Sequence, residues 1–101
     1  MIVTTTIISV EPEKRTELFQ TISVLVDQIN RTQGCVMFRH YIDASDENSS
    51  LLLAEWETDS ALNDYLRSEN FAILRGAINL FSTHCTDFRP LVTSRGFTPN
   101  Q

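Results

Sequence analysis

An α+β fold of the split βαβ type, one four-stranded antiparallel sheet with helices on one face, follows from three features of this 101-residue chain. A β-branched run at 2–10 leads directly into a long amphipathic helical pattern. Two strand patterns at 35–43 and 50–57 flank a short polar loop. A second helical region then precedes a further strand pattern at 83–89. The order strand, helix, strand, strand, helix, strand leaves few topologies once connections are short and uncrossed.

The first run, IVTTTIISV, is almost entirely β-branched, which favours a strand, and neither of its faces is clearly polar. EPEKRTELFQTISVLVDQINRTQG (11–34) reads as one helix, with Pro12 at its first position, where a missing N–H costs nothing. Glu11, Glu13 and Glu17 lie at the positive end of its dipole and Arg31 at the negative end. Leu18, Phe19, Ile22, Leu25, Val26 and Ile29 recur at helical spacing, and Gly34 fits the C-cap.

CVMFRHYID (35–43) and SLLLAEWE (50–57) read as a hairpin around ASDENSS. Placing Asp43 opposite Leu51 sets Arg39 against Glu55 and Phe38 against Trp56, matching charges and aromatics across the strands. Val36, Phe38, His40, Ile42, Leu52, Ala54 and Trp56 then share the face towards the helices. Met37, Arg39, Tyr41, Leu51, Leu53, Glu55 and Glu57 share the other. Thr58, Asp59 or Ser60 caps the next helix, with Ala61, Leu62, Tyr65 and Leu66 inward. Ser68 opens a second segment whose stripe is Phe71, Leu74, Ile78 and Phe81. Pro90 interrupts the last strand, with LVTSR as an extended arm. Large apolar groups on both faces of the 50–57 strand predict a homodimer packed sheet to sheet.

The composition, 42% hydrophobic and 21% charged, is that of an ordinary globular domain. A single domain over 1–95 with a flexible tail at 96–101 is expected. A formal charge of −5 with scattered basic residues argues against nucleic acid. No run approaches the roughly 20 apolar residues that span a bilayer, so no membrane association is expected. The N-terminus lacks a basic segment before an apolar one, which points to the cytoplasm. There Cys35 and Cys85 are reduced core thiols.

Trp56, the chain's single tryptophan, falls at a strand end with Tyr65 expected on one side and His40 on the other. Polar tips around an apolar floor are how ligand pockets are built. The same residues also have purely structural readings. Trp56, Tyr65 and Cys35 fit a core, His40 a satisfied buried imidazole, and Arg39 with Glu55 an interface ion pair.

GCVMFRHYID followed by LLLAEWETDSALNDYLRSENF resembles the antibiotic biosynthesis monooxygenase domain. The shared pattern is a Gly-Cys entering the second strand, an acidic-x-Trp ending to the third, an alanine-leucine helix, and a phenylalanine opening the next one. The resemblance spans about residues 2–93 and implies a ferredoxin-like dimeric α+β barrel. It also implies cofactor-independent oxygenation of quinols and polyketide aromatics, haem degradation, or isomerase roles. Tyr65 stands where many relatives carry a helical histidine, and the first strand offers Thr4, Thr5 and Thr6 where the haem-degrading branch has an asparagine. Both departures argue against haem degradation.

The expected function is therefore monooxygenation of a quinol or electron-rich phenolic or polycyclic aromatic without metal, flavin or other cofactor. His40 would be the base, Trp56 the aromatic wall and Tyr65 the group orienting a substrate oxygen. Phe38, Tyr41, Asn63 and Phe71 would complete the binding surface. The alternatives are an isomerase or lyase of small oxo-acids or lactones, with His40 as proton shuttle, and a non-catalytic ligand-binding dimer.

Overall fold

Residues 1–92 are described by a computed structural model. Strands β1 (Ile2–Val10), β2 (Cys35–Asp43), β3 (Asp46–Trp56) and β4 (Ser82–Val92) form one antiparallel sheet in the order β2-β3-β1-β4. Helices α1 (Arg15–Asn30), α2 (Asp59–Leu66) and α3 (Glu69–Phe81) supply the crossovers. This is the expected split βαβ, ferredoxin-like arrangement. The core lies between the helices and one sheet face. Ile2, Ile8, Val10, Phe38, Leu52, Ala54 and Trp56 from the sheet meet Leu18, Ile22, Leu25 and Ile29 of α1. Leu62, Tyr65, Leu74 and Ile78 of α2 and α3 join them.

The first helix is shorter than its hydrophobic pattern suggests. Glu11 is extended, Pro12–Lys14 form a 3-10 turn, and α1 begins at Arg15. It ends at Asn30, not at Gly34. The Asn30 side chain bonds the edge strand, donating to the Phe38 carbonyl at 2.7 Å and accepting from the Phe38 N–H at 2.8 Å. That clamp turns the chain out of the helix. Gly34 has φ of +86° in the turn before β2, and a Cβ there would collide with Cβ of Ala61. It is a left-handed close-approach glycine rather than a helix cap.

Most of the expected hairpin loop is strand. Only Ala44 and Ser45 separate β2 from β3, because the polar run from Asp46 to Ser50 pairs as strand, exposed at Asp46 and Glu47 and buried by Ser50. Asp43 accepts from the Ser45 N–H at 2.7 Å, and Arg15 reaches over to Glu47 at 2.8 Å. The longer β3 shifts the register by two residues from the expected one. Phe38 faces Ala54 and Arg39 faces Leu53, so neither the Arg39–Glu55 nor the Phe38–Trp56 pair forms across the strands. A shift of two keeps every side chain on its face. Val36 is the exception: a bulge between Cys35 and Met37 leaves it 44% exposed. Ile42, at the polar end of the hairpin, is 55% exposed.

Thr58 caps α2 by accepting from the Ala61 N–H at 3.0 Å, and Ser68 caps α3. Strand β4 continues past Pro90 to Val92. The proline falls where the pairing with β1 slips between Val3 and Thr5, a bulge that needs no donor from it. The arm beyond Val92 and the tail at 96–101 lie outside the described residues.

Candidate functional site

On the helix-facing side of the sheet the side chains of β1 run Ile2, Thr4, Thr6, Ile8, Val10, so two hydroxyls interrupt an otherwise apolar row. Thr4 faces Ala54, and Ala54 in turn faces Phe38. The short side chains of Thr4, Thr6 and Ala54 at the middle of the sheet leave a hollow beside Phe38 that the helices bridge rather than fill. The result is a cavity of about 190 Å³ between the sheet and the α2–α3 pair. Roughly 150 Å³ of apolar space accepts benzene, so this volume holds one aromatic ring with something to spare.

Thr4, Thr6, Phe38, Leu52 and Ala54 form the floor. Leu62, Tyr65 and Leu66 come from α2, and Phe71, Leu74, Arg75 and Ile78 from α3. The wall owes its shape to Ser68, between the two helices. Its Oγ donates to the Tyr65 carbonyl at 2.6 Å and accepts from the Phe71 N–H at 3.2 Å. One residue thus ends α2, starts α3 and sets the two aromatic wall residues together. Their rings lie 5.3 Å apart, edge to face, and Phe38 is 5.9 Å from Tyr65.

Trp56 is the innermost member of this cluster. It is wholly buried, stacks on Tyr65 at 4.7 Å and 25°, and supports the wall from behind instead of lining the cavity. Its Nε1 has no hydrogen-bond partner among the described residues. Burial pushes the Tyr65 phenol far above its ordinary range. The Cys35 thiol adds to that rise and the positive charge of Arg75 opposes it. Tyr65 is therefore a neutral hydrogen-bonding group at physiological pH and not a base. Burial also raises the Cys35 thiol.

His40 borders the cavity without lining it. It faces Leu52 of the floor, two residues along β2 from Phe38, and lies about 13 Å from Trp56 along the strand. Its ring meets Phe19 of α1 edge to face at 4.7 Å. Burial lowers its pKa, and its Nε2 has no partner among the described residues. Of the residues singled out from sequence, Phe38, Tyr65 and Phe71 line the cavity, and Trp56 stands behind Tyr65. His40 sits under α1, Tyr41 is on the opposite sheet face, and Asn63 is on the exposed side of α2. Thr4, Thr6, Leu62, Leu74, Arg75 and Ile78 were not foreseen as site residues. The sequence signals for them are a Thr pair at period two and one charge inside the Phe71–Leu74–Ile78 stripe.

Among the described residues, no group of three or more His, Cys, Asp or Glu is placed to hold a metal ion. No helix among them is long and apolar enough to cross a membrane.

Several solved structures share this architecture. A crystal structure of an antibiotic biosynthesis monooxygenase superposes with a TM-score of 0.83 at 19% identity, over 92% of this chain and 98% of its own. A Deinococcus radiodurans protein named as a candidate enzyme of that type gives 0.88 at 15%, over 97% of both chains. The Pseudomonas aeruginosa protein PA3566 gives 0.80 at 17%, over 91% of this chain and 92% of its own. At such identities the likeness speaks for the fold. No curated protein matches the chain by sequence. The family model described as antibiotic biosynthesis monooxygenase matches residues 1–75, from β1 into α3, and so takes in Trp56, Tyr65, Phe71 and Arg75. The chain belongs to the antibiotic biosynthesis monooxygenase family.

Proposed function

We propose that the protein is a monooxygenase that binds a small electron-rich aromatic, a quinol or phenol, in the cavity between the sheet and α2–α3. The observation that carries this reading is the cavity's make-up. Three aromatic side chains and aliphatic neighbours enclose space for a ring, with Thr4 and Thr6 hydroxyls on the floor. Apolar enclosure with a few placed polar groups is the usual design of a small-molecule site. Family membership supports the reaction class.

The chemistry asks little of the protein. The quinol or phenol anion passes one electron to O₂, and the radical pair recombines to form a C–O bond at a ring carbon that bears a hydrogen. The peroxide takes back the proton the substrate lost, and loss of water across the O–O bond and that C–H bond leaves a carbonyl, so each O₂ supplies one oxygen to the product and one to water. The protein's part is to hold the ring, exclude solvent and donate hydrogen bonds to the substrate oxygens. Tyr65, kept protonated by its burial, and the two threonines are suited to that. Trp56 acts through Tyr65, by fixing its ring. His40 packs on Phe19 of α1 and does not line the cavity, so this reading assigns it no step.

A homodimer formed through the sheets belongs to the same reading. The face away from the helices carries Ile7, Met37, Tyr41, Leu51 and Leu53, with Ile7 38% and Tyr41 43% exposed.

Oxygen uptake with a panel of reduced quinols and anthrones tests the function, with boiled protein as the autoxidation control. Saturable uptake is expected, and it should be lost or strongly weakened in Leu66→Trp, which fills the cavity mouth from an exposed position. Uptake no faster than the boiled control across the panel would count against an oxygenase. Turnover that persists without O₂ would point to proton transfer instead.

A further inference from the structure

We infer that the ligand of this cavity is an aromatic acid, a ring bearing a carboxylate, and that Arg75 reads that charge. The inference rests on the cavity being the binding site proposed above. Arg75 occupies the inner stripe of α3, four residues after Phe71 and three before Ile78, where helical spacing calls for another apolar side chain. It is half-buried, and its guanidinium lies over the Phe71 ring, 5.5 Å from the centroid, so the charge is held against the cavity wall.

Among the described residues lining the cavity, Arg75 alone is ionised at neutral pH. Its field already acts inside the site, where it favours the ionised form of Tyr65 against burial. An acid bound in the same space feels the same field. Two further points require that help. The chain carries a formal charge of −5, so its overall potential repels anions. An anion placed in an apolar cavity also loses its hydration and needs a paired charge. No histidine or carboxylate lines the cavity among the described residues, so the bound anion must arrive ionised or be ionised by its own acidity.

The test is calorimetric binding of two single-ring probes of one shape, benzoate and its neutral isostere benzamide. Wild type should bind benzoate about tenfold or more tightly than the amide, the ratio one charge-assisted hydrogen bond provides. Arg75→Met keeps the stem and removes the charge. It should bring the two affinities together, with the amide unchanged to within about twofold, and Arg75→Lys should retain part of the preference. Equal binding of both probes by wild type would overturn the role of Arg75 while leaving the aromatic pocket in place. The same holds for a preference that survives in Arg75→Met. Binding of neither probe would overturn the aromatic pocket and this inference with it. The wild-type comparison decides the matter even where a variant does not fold.

Discussion

Trp56 and His40 were expected to stand side by side, and each instead has a separate physical role. Trp56 is the largest wholly buried side chain, stacked on Tyr65 with an unpartnered N–H. Truncating such a residue removes apolar area and leaves a void, so Trp56→Ala should cost about 3–5 kcal/mol in urea unfolding followed by circular dichroism. A loss below about 1 kcal/mol would contradict its place in the core. His40 should add to the acid sensitivity of the fold. In the unfolded chain an imidazole takes up a proton below about pH 6.5, whereas burial keeps His40 neutral to lower pH in the fold. Between those two points the unfolded state binds more protons, so stability falls as the pH drops through that window. His40→Gln removes the titration. Its melting temperature should change less than wild type's between about pH 7.5 and about pH 5. Equal acid sensitivity in the two proteins would show that His40 is not the group involved.

At the level of elements, the β2 entry and the start of α2 meet at a close joint. Gly34 needs both its positive φ and its missing Cβ, because Ala61 presses against it. Gly34→Ala should cost about 1–2 kcal/mol for the left-handed backbone alone, and more for the collision. In an Ala61→Gly background the collision disappears, so Gly34→Ala should cost measurably less there. An identical cost in both backgrounds would mean the two residues do not meet.

Much of this level was legible in the sequence. The strand order, the α1 stripe, the Thr58 and Ser68 caps and the alternating faces of the hairpin depend on local periodicity and capping chemistry. The hairpin register and the ends of α1 were not, because they depend on distant partners. Asn30 ends its helix by bonding Phe38, and Arg15 holds the polar ribbon through Glu47. The face assignment survived the two-residue slip because side chains alternate with period two. The site was half legible for the same reason. Phe38, Tyr65 and Phe71 announce themselves as inward apolar residues. The hollow arises from small or short side chains at Thr4, Thr6 and Ala54, brought together only when three strands align. Sequence placed His40 on the correct face but could not say which helix would cover it.

For the molecule as a whole, two surfaces of the sheet divide the work. One is closed by the helices and encloses the cavity. The other presents Ile7, Tyr41, Leu51 and Leu53, the surface through which a second copy is proposed to pack. Sedimentation velocity should find wild type dimeric at micromolar concentration, and Leu53→Glu should shift it towards monomer by burying a charge at that contact. A monomeric wild type would remove the dimer from the proposal without touching the cavity.

The most direct test of the cavity as the binding site is a methyl NMR titration, with isoleucine and leucine methyls labelled and a reduced quinol added anaerobically. The expected result is a saturable shift at Leu62, Leu66, Leu74 and Ile78, with Leu51 and Leu53 on the opposite sheet face unmoved. Saturable shifts at Leu51 and Leu53, with the cavity methyls silent, would contradict the assignment of the site.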